Sequence, residues 1–119
     1  MDGGRRGAVT DPTASYIAMN SGGNVSLGSF GNVVTVDSAS DQVLQFPTLT
    51  TVTGKRIGVA KMGVGKVTIT APVDASIQDS ALGGSIYCDD GTMARIELEV
   101  ISATQIGIVC GVGTWTTTE

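Results

Sequence analysis

Turn signals cut this chain into pieces too short for a helix to bury an apolar stripe. Glycine, proline or a cluster of Asp, Asn and Ser recurs at intervals of roughly 8 to 12 residues, and no helical period survives beyond a single turn. The 17 glycines among 119 residues show no period of three, which excludes a collagen-like chain. Between the turns Val, Ile and Thr dominate. Such β-branched side chains lose rotamer freedom in a helix and pack well on a pleated surface. The chain therefore reads as all-β, and its length suits one domain.

The strand-like stretches carry a period of two. Leu44 and Phe46 alternate with Val43 and Gln45, Val67, Ile69 and Ala71 with Lys66, Thr68 and Thr70, and Ala94, Ile96, Leu98 and Val100 with Arg95, Glu97 and Glu99. Residues 55–61 and 66–71 flank Met62-Gly63-Val64-Gly65 and read as a β-hairpin. In all, about nine or ten short strands predict an antiparallel β-sandwich or jelly-roll-like domain over residues 25–119. Residues 1–24 lack sustained periodicity and are expected to form an extended N-terminal arm, flexible or partner-bound. Tyr16, Ile17 and Met19 are its candidate partner contacts. Phe46, Ile96, Leu98 and Trp115 are expected in the core or at an interface.

Only 15% of the residues are charged, with a net charge of −4, whereas globular chains average about a quarter. An acidic chain lacks the basic surface that displaces counterions from nucleic acid, and no apolar run is long enough for a membrane span. Neither nucleic acid nor membrane is an expected partner. Few charges and many outward threonines suggest instead that neighbouring chains cover some faces. Charge is also unevenly placed. Residues 31–70 carry Lys55, Arg56, Lys61 and Lys66 against Asp37 and Asp41, whereas residues 71–119 carry Arg95 against seven acids. Contacts between unlike surfaces of different copies would use this asymmetry.

Candidate chemistry is sparse. Histidine is absent, which removes the commonest general base and zinc ligand. Serine chemistry would then need a lysine or carboxylate base, and no spacing supports one. Asp89-Asp90-Gly91-Thr92 is the most acidic turn, but it lacks the EF-hand spacing of a calcium loop and reads as a turn. Asp37 and Asp41 read as residues bonding their own turn. Gly63-Val64-Gly65-Lys66 falls short of a phosphate loop, because a loop between two strands has no helix N-terminus to offer. No enzymatic activity, metal or cofactor is expected. Cys88 and Cys110 would allow one disulfide, but they read first as two thiols.

The order of Val33-Val34-Thr35-Val36-Asp37, Val43-Leu44-Gln45-Phe46-Pro47, Gly54-Lys55-Arg56-Ile57-Gly58-Val59, Gly65-Lys66-Val67-Thr68-Ile69 and Gly111-Val112-Gly113-Thr114-Trp115 resembles the β-rich modules of tailed-bacteriophage virion proteins. These occur in tail-fibre and tail-spike tips and in small proteins that decorate the capsid. The resemblance implies a non-enzymatic structural virion protein, commonly a homotrimer, assembled in the host cytoplasm. A short β domain with an arm fits a capsid decoration (cement) protein that bridges subunits of the major capsid protein. The alternative is a tail-fibre tip or adaptor that binds a host-surface glycan.

Overall fold

The computed structural model describes residues 15–118. Eleven strands form two sheets: β1 (Tyr16–Ala18), β2 (Gly23–Asn24), β3 (Val33–Val36), β4 (Gln42–Gln45), β5 (Arg56–Lys61), β6 (Val67–Thr70), β7 (Ser76–Ile77), β8 (Ser85–Cys88), β9 (Ala94–Ser102), β10 (Gln105–Val112) and β11 (Thr116–Thr117). The first sheet has the order β1-β3-β5-β9-β10-β7 and the second β11-β8-β6-β4-β2. From β1 to β6 each strand lies in the opposite sheet from the one before it, and β1 to β4 each pair in parallel with the strand one circuit later. Val33 faces Gly58 and Gln42 faces Val67, the same step of 25 residues in both sheets.

This is a β-solenoid of about three turns, and it overturns the expected antiparallel sandwich or jelly roll. A period of two fixes which side of a strand is buried, but it is silent on which strand lies alongside. The expected hairpin fails for the same reason: β5 and β6 belong to different sheets, and Met62–Lys66 is a corner joining them. Antiparallel pairing is confined to the C-terminal part, where β9 joins β5 to β10 and β8 joins β6 to β11.

The corners explain the stacking. Asn20, Ser38 and Gly63 lie at successive corners on one side of the solenoid. The Asn20 carboxamide oxygen accepts the Asp37 N–H at 2.9 Å, the Ser38 carbonyl accepts the Gly65 N–H at 2.9 Å, and the Asp41 carboxylate accepts the Lys66 N–H at 3.1 Å. Asp41 thus ties two turns together, rather than bonding its own turn as expected. A Cβ on Gly63 would overlap the backbone of Ser38, and one on Gly65 the backbone of Ser40. Neither glycine has a positive φ, so each is there for space.

Inward residues of both sheets form one core: Val34, Val36, Leu44, Phe46, Ile57, Val59, Val67, Ile69, Ile86, Ile96, Leu98, Val100 and Ile106. Phe30 meets Phe46 edge to face, with ring centroids 5.3 Å apart, a favoured aromatic geometry. Phe46, Ile96 and Leu98 are core residues, and Trp115 is half-buried against the core with its indole N–H donating to the Val112 carbonyl at 3.1 Å.

Residues 1–14 of the expected arm lie outside the described residues. Tyr16–Ala18 and Gly23–Asn24 are edge strands of the two sheets, paired with β3 and β4 of this chain.

The corner packing makes a direct prediction. Gly63→Ala or Gly65→Ala should destabilise the fold by about 1–3 kcal/mol or prevent it from forming, because backbone faces the new methyl group. Gly28→Ala should change stability little, since nothing lies within 4 Å of a Cβ there and φ is not positive. Thermal melts followed by circular dichroism compare the three, and equal melting temperatures would refute the stacking account.

Candidate functional site

Two features carry physical chemistry beyond the fold: a buried lysine at one end of the core and an apolar groove on the outside of the first sheet.

The inward parity of β5 runs Ile57, Val59, Lys61, so the lysine side chain enters the interior beside Val36 and Ala94, its register partners. Lys61 has no exposed surface. Burying an ammonium without partners would be very costly, and here three backbone carbonyls accept from its Nζ. They belong to Gly63 at 2.7 Å, Thr92 at 2.9 Å and Asp90. The three donors of the ammonium match three acceptors. The acidic turn thus does surround a cation, supplied covalently by Lys61. The Asp90 carboxylate accepts the Thr114 N–H at 2.9 Å, and Asp79 accepts the Thr117 hydroxyl at 3.0 Å. Both aspartates fasten the C-terminal segment. Among the described residues no group of three or more His, Cys, Asp or Glu side chains gathers to hold a metal.

Cys88 lies on β8 facing inward, and Cys110 lies on β10 facing out; both are free thiols. The two strands belong to different sheets, so the disulfide considered from their spacing is not formed. Burial pushes the Cys88 thiol above its ordinary range, because the thiolate would lose hydration. Cys110 is exposed beside Glu97, with Sγ 3.8 Å from Oε1.

The groove occupies the outer face of the first sheet. Sheet register places Thr35, Ala60, Arg95 and Val112 in one outward row, and Val33, Gly58, Glu97 and Cys110 in the next. Small residues at Thr35 and Ala60 form a hollow of about 580 Å³, rimmed by Tyr16, Met62, Met93 and Val112 with Arg95 on its wall. Gly58 keeps the neighbouring row low: a Cβ there would lie 3.2 Å from Val33 Cγ2 and 3.4 Å from Arg95 Nη2. The rim is well exposed, with Tyr16 at 70%, Met93 at 62% and Val112 at 68%. Contiguous exposed apolar surface of this kind usually marks an interaction site. Further along the face Arg56 approaches Glu97 at 3.8 Å and Glu99 at 4.0 Å, exposed pairs that contribute little stability.

The structure separates the three arm residues expected to act together. Tyr16 stands on the groove rim, whereas Ile17 pairs with inward-facing Val34 and is half-buried, and Met19 packs partly against the core. Met62, Met93 and Val112 were missed, because each lies in or beside a turn or strand end where alternation is uninformative. The parity of β5 was the available signal for Lys61. No family model, curated protein or solved structure matches the chain.

Three measurements check this description. Lys61→Met should lower stability by about 1–3 kcal/mol, since it leaves the three part-buried carbonyls around the Lys61 ammonium without their donor; an unchanged urea midpoint would contradict the assigned cage. Iodoacetamide should modify Cys110 alone in the native protein and both thiols after unfolding. The raised Cys88 pKa keeps that thiol protonated as pH climbs past the ordinary cysteine range. Stability should therefore decline there, as the unfolded chain ionises first.

Proposed function

We propose that this protein is a structural module of a virus particle, a decoration protein of a phage head, which works by packing against neighbouring subunits. The observation that carries this reading is the apolar groove on the first sheet, a concave face with an exposed Tyr and Met rim set on a backbone locked by stacked corners. A rigid face of this kind suits a protein whose task is to add buried area at a junction. Binding only the assembled state stabilises that state by mass action. The resemblance of its sequence motifs, in their order along the chain, to those of phage virion modules is consistent with the same role, as is the low charge.

The glycan-binding alternative is less well supported. A sugar platform needs a free aromatic face beside hydrogen-bonding groups. On the second sheet the Lys66 ammonium already sits 4.8 Å from the Tyr87 ring centroid, and Trp115 is half-buried with its N–H engaged. The one well-exposed ring among the described residues, Tyr16, stands on a rim whose other members, Met62, Met93 and Val112, are apolar.

The test mixes the purified full chain with empty tailed-phage heads, pellets the heads, and images them by electron microscopy. Regular occupancy of head sites is the expected result, and Tyr16→Ser should reduce it while leaving the thermal melt close to wild type. Tyr16 is the useful position because Ile17 and Met19 face the core. A chain that ignores heads but gives a specific signal on a glycan array would replace this reading with adhesion.

A further inference from the structure

We infer that the groove on the first sheet is covered by the same face of a second copy of this chain. The inference rests on the contact role proposed above and names the partner at that site: the neighbouring subunit packed in the groove is another copy of this chain, and Tyr16→Ser lowers head occupancy by uncoupling adjacent copies.

Shape is the first argument. The face holds both a hollow floored by Thr35 and Ala60 and the protruding side chains able to fill one, Tyr16, Met93 and Val112. A partner bearing the same face supplies knobs for each hollow and hollows for each knob. Homo-oligomers are built on such self-complementary patches. Met suits the role because its unbranched thioether adapts to irregular space.

Charge complementarity is the second. Arg95 lines the groove, and Glu97 follows two residues along the same outward side of β9. Laying two such strands antiparallel, face to face, sets each Arg95 against Glu97 of the other copy. The face carries two residues of each sign, Arg56 and Arg95 against Glu97 and Glu99, and because Arg56 reaches the two carboxylates of its own chain only at 3.8 and 4.0 Å, Glu97 still has room for the Arg95 of an antiparallel copy. Electrostatics of this kind selects orientation more than it adds affinity.

Size bears on strength. The face spans the four spacings from β1 to β10, about 19 Å across. That places the contact toward the small end of stable interfaces, so association should depend on protein concentration.

The experiment is light scattering and sedimentation of the full chain over a wide concentration range, without any virus particle. We expect a monomer that converts to a dimer, and to nothing larger, as concentration rises. Met93→Glu and Val112→Glu should each weaken association by about tenfold or more. Val73→Glu should leave it unchanged, as Val73 is 88% exposed and does not line the groove. A measurement free of variants accompanies these: oxidation of Met93 by peroxide in the wild-type protein should slow as concentration rises. A monomer at every concentration would overturn the inference, as would self-association indifferent to Met93→Glu and Val112→Glu, or Met93 oxidation independent of concentration. Because no heads are present, those results leave the particle-binding reading standing, and failure to bind heads leaves self-association standing.

Discussion

Backbone against backbone at the corners is the contact on which this fold depends. Parallel strands in successive turns must stack at the ordinary inter-strand spacing of about 4.8 Å, and the corners joining them must stack as closely. A side chain between two corners would force the turns apart and break the ladders on both sides. Gly63 above Ser38 and Gly65 above Ser40 remove that obstacle, and Gly22 does the same against Val43, whose carbonyl would lie 2.6 Å from an added Cβ. Short polar side chains then use the proximity: Asn20 and Asp41 each accept an N–H from the following turn. With the corners in register, the equal step from Val33 to Gly58 and from Gln42 to Val67 follows in both sheets.

Lys61 closes the open end that this geometry creates. The inward row Val36, Lys61, Ala94 reaches the corner side of the core, where an apolar side chain would leave the carbonyls of Gly63, Asp90 and Thr92 facing each other without donors. The ammonium satisfies all three. It thereby fixes the Asp89–Thr92 turn, which leads into Met93 on the groove rim, while Asp90 holds the segment at Thr114. One buried cation thus links the end of the core to one wall of the outer face.

Much of this was legible in the sequence, and its limits have a physical origin. The alternation in β4, β6 and β9 identifies Leu44, Phe46, Val67, Ile69, Ile96 and Leu98 as inward, because side-chain direction is a local property of an extended strand. Pairing is not local. Gly63 and Gly65 read as hairpin glycines, since a tight turn and a close backbone approach both call for glycine; only the absence of a positive φ separates them. A repeat of 25 residues expressed in backbone register, with Val33-Val34-Thr35-Val36 facing Gly58-Val59-Ala60-Lys61, leaves no sequence identity to notice. The groove suffered in the same way. Tyr16 drew attention as part of an arm, yet its neighbours on the rim come from corners and strand ends far away in the chain.

The outer face of the first sheet also departs from what a solvated strand surface requires. A face meant for water can carry long polar or charged side chains at every outward position, and β9 does so at Arg95, Glu97 and Glu99. The strands on the β5 side do so only at Arg56: beyond it β5 offers Gly58 and Ala60, and β3 offers Val33 and Thr35. Val33 and Ala60 are nearly buried although they point away from the core. Small residues in the middle of an outward row lower the floor, and Tyr16, Met62, Met93 and Val112 raise the rim. Each choice alone is unremarkable on a monomer surface, where scattered apolar residues are normal. In a single register-aligned patch they make a shape that water fills poorly and a protein face fills well, which is why the contact proposed above is assigned to this face rather than to the acidic turns.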